Sequence, residues 1–170
     1  MNLKDYIRDI NDFPAVGIVF KDITPLLNNP VALKFALTEL QNFLKSQKID
    51  KVVGMESRGF FFAPMLALQL NAGFVPVRKS GKLPSAAISE TYGLEYGKDT
   101  LEIHTDAIKK GDRVLVHDDV LATGGTAAAT CKLVERLGGK VIQCNFLIEL
   151  DFLNGREKLK SFEVNSILHY

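Results

Sequence analysis

The sequence predicts an α/β domain with a central, mainly parallel sheet flanked by helices, and three observations carry that prediction. Apolar runs of strand length alternate with segments of helical periodicity. Two of these runs lead directly into small-residue turns that open helices. No internal repeat, low-complexity tract or linker divides the 170 residues, a length that buries a sizeable core within a single domain.

Leu33, Ala36, Leu37, Leu40 and Leu44 recur at helical spacing between Pro30 and Lys48, with Lys34, Glu39, Gln41 and Lys45 on the wet side. Lys51 to Glu56 then reads as a short buried strand, Gly59 to Leu70 as a helix, and Gly73 to Arg78 as a second strand with Pro76 at an edge or strand end. Between Ser80 and Gly97, Gly81, Pro84, Gly93 and Gly97 interrupt any period, which predicts a long loop of the functional or flexible kind. Alternation resumes over Thr100 to His104, and Lys109 to Asp112 turns the chain. Arg113 to His117 is a third buried strand, feeding a loop and a helix over Thr126 to Leu137 that Gly138-Gly139 ends. Val141 to Leu150 is a long apolar strand. Strands separated by helices form parallel βαβ units, whose ligands bind beyond the carboxyl ends of the strands.

Charge excludes some partners. With 21 Lys and Arg against 20 Asp and Glu, the chain has no overall drive toward nucleic acid or an anionic membrane, so any anion site must be local. Cys131 and Cys144 form no CxxC pair and lie among apolar residues, which predicts buried reduced thiols. Met1 to Ile10 lacks the continuous apolar stretch of a signal peptide and no membrane-spanning run follows, so a cytoplasmic protein is expected.

The clearest chemistry lies in Val114-Leu-Val-His-Asp-Asp-Val-Leu-Ala-Thr-Gly-Gly-Thr126, where an apolar strand stops at Asp118 and Asp119 and the small-residue loop Ala122 to Thr126 opens a helix. Gly124 and Gly125 let backbone N–H groups approach an oxyanion, Thr123 and Thr126 add hydroxyl donors, and the helix N-terminus adds partial positive charge. Carboxylates repel a phosphate, but they suit the vicinal hydroxyls of a ribose one sugar length away. No Lys-Ser or Lys-Thr follows the glycines, and Gly-x-Gly-x-x-Gly is absent, so neither a Walker loop nor a dinucleotide fingerprint is present. Taken as mere scaffolding, the acids would end a strand and the glycines would make a turn.

This string resembles the signature with which type I phosphoribosyltransferases bind phosphoribosyl pyrophosphate (PRPP). Phe13 to Pro25, Glu56-Ser-Arg-Gly-Phe60, Arg78-Lys-Ser-Gly-Lys-Leu-Pro84 and Leu94-Glu-Tyr-Gly97 are similar, in order and spacing, to the adenine-specific branch of that family. The resemblance covers nearly the whole chain. It implies the conversion of adenine and PRPP to AMP and pyrophosphate, as in purine salvage, with Mg2+ held mainly by PRPP and water and no protein metal ligand. It also implies a type I phosphoribosyltransferase-like fold with a small N-terminal hood or interface segment over residues 1–30, a flexible catalytic loop over residues 80–97, and a homodimer with Phe13 to Pro25 near the interface.

Residue by residue, the resemblance assigns Asp118 and Asp119 to the ribose hydroxyls and Ala122, Thr123, Gly124, Gly125 and Thr126 to the 5′-phosphate. Arg78, Lys79 and Lys82 surround the pyrophosphate, which the Glu56-Ser57 turn also approaches, often through a strained or cis peptide. On charge alone the basic cluster would be a solvated loop. Val19 reads the edge of adenine through its backbone, Phe20 stacks on its face, and Arg58 belongs to the purine site. The resemblance also makes Glu95 the catalytic carboxylate near N7 and gives Tyr96 a part in closing the loop over PRPP. Lys21 stands where some relatives carry Arg, and the resemblance points it across the dimer interface. His104, His117 and His169 are scattered and receive no role. Two other readings share the PRPP loop: a phosphoribosyltransferase for another purine base, since base choice rests on few contacts, and a non-catalytic PRPP-sensing regulator. The presence of Glu95 and of the full basic loop favours the enzyme.

Overall fold

The computed structural model describes residues 1–93 and 98–170. Near the start an antiparallel hairpin, β1 (Arg8–Asn11) and β2 (Val19–Asp22), forms a two-stranded sheet of its own. The single turn α1 (Thr24–Leu27) precedes α2 (Pro30–Asn42). Asn29 starts α2 by accepting the N–H groups of Val31 and Ala32 at 3.0 Å each, and Pro30 takes the first position, where a missing N–H costs nothing. The remaining elements are β3 (Lys51–Met55), α3 (Ala63–Gln69), β4 (Gly73–Lys79), β5 (Ala87–Gly93), β6 (Lys98–His104), β7 (Arg113–Leu121), α4 (Gly125–Arg136), β8 (Lys140–Glu149) and β9 (Val164–His169).

Seven strands form one sheet in the order β5-β6-β4-β3-β7-β8-β9. From β4 through β3, β7 and β8 to β9 each neighbouring pair is parallel, whereas β6 and β5 run antiparallel at one edge. Val52 and Leu115 pack with Ala36, Leu40, Phe62 and Leu66 on one face, and Val53, Val114, Val116 and Phe146 pack with Ala127, Cys131 and Val134 on the other. Burial on both faces is why β7 and β8 read as near-continuous apolar runs rather than alternating ones. Cys131 and Cys144 are free and buried as expected, their sulfurs 3.5 Å apart.

The helix ends are satisfied locally. Gly138 takes φ +86° after α4, and the N–H groups of Gly138 and Gly139 return to the carbonyls of Glu135 and Val134, the paired bonds of a Schellman cap. At the end of α2 the last carbonyls are met by the sheet: Asn145 donates to Leu40 O at 3.2 Å and Gln143 to Phe43 O at 3.1 Å. Asn145 Oδ1 lies 2.8 Å from His117 Nδ1, so that nitrogen carries the proton of a fully buried imidazole. Burial lowers the His117 pKa to about 4 despite this bond.

Several elements differ from expectation. Strand β7 does not stop at His117 but runs through both acids to Leu121, because β8 is long enough to keep pairing: Asp118 faces Phe146 and Leu121 faces Glu149. The segment read as loop over Ser80 to Gly97 contains β5, in which Ile88, Glu90 and Tyr92 turn inward in alternation with exposed Ala87, Ser89 and Thr91. Its many polar residues hide that period. The helix predicted to reach Lys48 ends at Asn42, since Lys45 and Ser46 adopt positive φ. Helix α3 is preceded by a tight 3-10 turn over Arg58–Phe61 instead of starting at Gly59. Pro76 sits in an interior strand, yet β6 joins β4 only at Arg78 and Lys79, so the proline occupies a stretch with one neighbour. The hairpin β1–β2 and strand β9 are additions to the predicted elements.

Candidate active site

Parallel pairing of β4, β3 and β7 brings their carboxyl ends to one edge of the sheet, and the three segments that follow them meet there. After β7, residues Ala122 to Gly124 turn into α4, and Gly124 adopts φ +74°. A Cβ at Gly124 would collide with the carbonyl of Gly155, so both backbone conformation and packing demand glycine. The first N–H to bond back in α4 belongs to Ala128, which donates to Gly124 O at 3.0 Å, leaving the donors of the first turn available. They border a pocket lined by Asp118, Ala122, Thr123, Gly124, Gly125 and Thr126. N–H groups with no partner among the described residues, at the positive end of a 12-residue helix, make an anion cradle.

A second cavity adjoins the first and shares Asp118, Val120 and Ala122 with it, while Glu56, Ser57, Arg58 and Asp119 complete its wall. The Glu56–Ser57 peptide is cis. Gly59 lets this turn press against β7, since a Cβ there would lie 3.0 Å from Asp118 Oδ1 and 3.1 Å from His117 O. Arg58 Nε stands 3.0 Å from Asp119 Oδ2, and its guanidinium lies 4.7 Å from the Phe20 ring centroid. Phe13 meets the Phe20 ring edge-on at 5.2 Å. Thus the β2 aromatic, the arginine after β3 and the acid on β7 form one row. Burial raises the pKa of both acids, more strongly for Asp118, to which the charge of Asp119 adds; Arg58 offsets part of the rise on Asp119. Asp119 Oδ2, although ion-paired, has no hydrogen-bond donor among the described residues. The pair therefore favours ligands that bring hydroxyl protons or positive charge.

Beyond β4 lies a cluster of side-chain charge. Glu56 accepts from Arg78 Nε at 3.2 Å and from the Lys79 N–H at 3.1 Å, and it pairs with Lys82. Burial opposes ionisation of Glu56, but Lys82, the Lys79 N–H and Arg78 together outweigh it and hold the carboxyl at about 2. Glu102 on β6 accepts from Ser80 Oγ at 2.6 Å and from the Gly81 N–H at 2.9 Å, tying down the turn after β4. Lys79 reaches Asp99 at 3.1 Å.

A phosphoribosyl transferase domain model matches residues 26–166. The adenine phosphoribosyltransferase of Flavobacterium johnsoniae is 65% identical over 170 residues, covering all of both chains, and that of Christiangramia forsetii is 63% identical over all of this chain and 99% of its own. The chain belongs to the adenine phosphoribosyltransferase family. Solved structures agree: the family member from Rhodothermus marinus superposes with a TM-score of 0.95 at 57% identity, covering 99% of this chain and 96% of its own. The Saccharomyces cerevisiae member, complexed with an imino-altritol bisphosphate and adenine, gives 0.90 at 46% identity over 96% and 95%. The fold is thus the type I phosphoribosyltransferase α/β fold with its mostly parallel sheet.

The structure gathers Phe20, Glu56, Ser57, Arg58, Asp118, Asp119 and Ala122 to Thr126 around the two cavities and sets Arg78, Lys79 and Lys82 beside Glu56. Val19 is partly exposed on β2 next to Phe20. Glu95 and Tyr96 lie outside the described residues. Within its own chain Lys21 lies 2.7 Å from Asp9 and 4.0 Å from the Tyr170 ring centroid. Two residues at the site escaped the sequence reading. Tyr92 packs its ring where a Cβ at Gly125 would be 3.0 Å away and accepts the Thr126 hydroxyl at 3.2 Å; Asp99 holds Lys79. The inward alternation of Ile88, Glu90 and Tyr92 was the signal for the first.

Proposed function

We propose that the protein transfers the phosphoribosyl group of PRPP to N9 of adenine, releasing AMP and pyrophosphate, the reaction by which a cell recovers free adenine. The observation that carries this reading is the row Phe20–Arg58–Asp119, which sets an aromatic face and a guanidinium against the ribose acid, next to the phosphate loop. In this reading the first-turn N–H groups of α4, with Thr123 and Thr126, hold the 5′-phosphate. Asp118 and Asp119 accept the ribose hydroxyls, and their raised pKa values suit that role. Phe20 presents its ring to the base, Val19 reads the base edge through its backbone, and Arg58 fixes the relation between base and sugar.

Bond formation from N9 to C1 accompanies cleavage of the C1–oxygen bond to pyrophosphate, so positive charge builds on the ribose and negative charge on the leaving group. Arg78, Lys79 and Lys82 offset the latter, the kind of preorganised charge that supplies much of enzymatic rate enhancement. Glu95 takes up the proton that adenine loses, and Tyr96 helps exclude water. Magnesium fits the cleft: the donor set is oxygen, and Asp119 Oδ2 is buried with no hydrogen-bond donor among the described residues. The ion would take most of its ligands from PRPP and water, with Asp118 and Asp119 nearest, and would neutralise pyrophosphate charge. Phe13, Val16 and Ile18 expose apolar surface on the hairpin segment, which supports a homodimer through Phe13 to Pro25. No helix among the described residues is long and apolar enough to cross a membrane, and the proposed compartment is the cytoplasm.

The test is nucleotide formation with PRPP, magnesium and, separately, adenine, hypoxanthine, guanine and xanthine. AMP from adenine alone is expected; product from another base would keep the PRPP site and overturn the base assignment. In the same assay Glu95→Gln lowers turnover by about 10²–10⁴-fold while AMP binding survives.

A further inference from the structure

Lys79, which the proposed function places at pyrophosphate, is already paired. Its ammonium lies 3.1 Å from Asp99 Oδ2, and the pKa shifts of both partners favour their charged forms: that of Lys79 is raised mainly by Asp99, while on Asp99 the pull of Lys79 and of the Thr100 N–H outweighs burial. Asp99 sits on β6 directly across from Tyr92 on β5. The Tyr92 hydroxyl donates to the same carboxylate oxygen at 3.4 Å and accepts the Thr126 hydroxyl at 3.2 Å. A chain of contacts therefore runs from a phosphate-loop donor, Thr126, through Tyr92 to Asp99 and on to Lys79.

We infer that Asp99 is a positioning residue, a resident counter-ion that holds Lys79 in the anion-free enzyme and is exchanged for pyrophosphate when that ligand arrives. The pair is accessible enough for exchange, with side chains 56% and 23% exposed for Lys79 and Asp99. Thr100 N–H, which donates to the other Asp99 oxygen at 2.8 Å, keeps the carboxylate in place after Lys79 leaves. Asp99 thereby lowers the affinity for free pyrophosphate and eases its release, without touching either substrate. Tyr92 stands in for an anion in the same way at Thr126, so both anion-binding regions have a protein acceptor in waiting on one hairpin.

This inference rests on the assignment of Lys79 to pyrophosphate, and the experiment separates the two. Magnesium pyrophosphate and AMP are titrated separately into the wild-type protein, Asp99→Asn, Lys79→Ala and the double variant. Asp99→Asn is expected to tighten pyrophosphate binding by about two- to fivefold, the range an exposed ion pair allows, with AMP affinity unchanged. Lys79→Ala weakens pyrophosphate binding, and in its background Asp99→Asn has no further effect. If Asp99→Asn tightens binding equally without Lys79, the carboxylate acts only through space and the exchange is wrong. Equal or weaker pyrophosphate binding by Asp99→Asn, or parallel loss of AMP affinity, also overturns it. If Lys79→Ala binds pyrophosphate like the wild type, the assignment of Lys79 falls and takes the inference with it.

Discussion

The two regions of the cleft proposed to bind anions are built in opposite ways. Ala122 to Thr126 offers backbone N–H groups fixed by a strand, a helix and the abutment of Gly124 on Gly155, with no charged side chain of its own. Arg78 to Lys82 offers formal charges on long side chains, each held by a carboxylate from elsewhere in the fold: Glu56 for Arg78 and Lys82, Asp99 for Lys79. In the proposed function the first region binds through geometry set before the ligand arrives, and the second through charge already paired within the chain. On the proposed assignment, the difference lets one cleft hold the substrate's 5′ end rigidly while letting its leaving group go.

Breaking the rigid region has the largest expected effect. Gly124→Val cannot keep φ +74° or the contact with Gly155, and kcat/KM for PRPP is expected to fall by about 10²–10³-fold, as for the loss of preorganised donors elsewhere. A near-normal value in steady-state kinetics would show that the loop is not the phosphate site. Lys82→Ala probes the charged region and costs less, about tenfold in KM for PRPP, because a single exposed cation is replaceable by its neighbours. Added salt sharpens the contrast: it should raise KM for the wild type and do so less steeply for Lys82→Ala, whereas the Gly124→Val defect persists at every ionic strength.

Acid provides a smaller handle on both regions. Glu56 is held at about 2 against an ordinary value of 4.5, so its contribution to stability is complete above about pH 5 and disappears as pH falls toward 2. His117, one residue before Asp118, is held at about 4 against 6.5, so the unfolded chain takes up its proton first and stability declines between pH 6.5 and 4. That window is worth on the order of 3 kcal/mol. Urea denaturation at pH 7 and pH 4.5 should show the loss, and His117→Leu should flatten it; an unchanged slope would mean that other groups govern acid sensitivity.

The same contrast explains what the sequence made legible. The loop Ala122 to Thr126 is encoded locally, because Gly124, Gly125 and the flanking threonines specify a backbone shape within a few residues of β7 and α4. The parallel strands β3, β4, β7 and β8 were equally legible, being apolar on both faces and separated by periodic helices. The charge pairs were not: Glu56 is 22 residues from Arg78 and 26 from Lys82, and nothing in the local pattern tells which acid answers which base. Strand β5 was missed for a related reason, since its polar residues lie on an edge strand where one face is wet. Phe20 and Arg58 were assigned by resemblance, and only the fold shows that they touch.

The most direct test of the central claim is pyrophosphate release from PRPP measured with and without adenine. Release that requires adenine and matches AMP formed mole for mole is the predicted result. PRPP binding with no adenine-dependent release would contradict it and leave a PRPP-sensing protein in place of an enzyme.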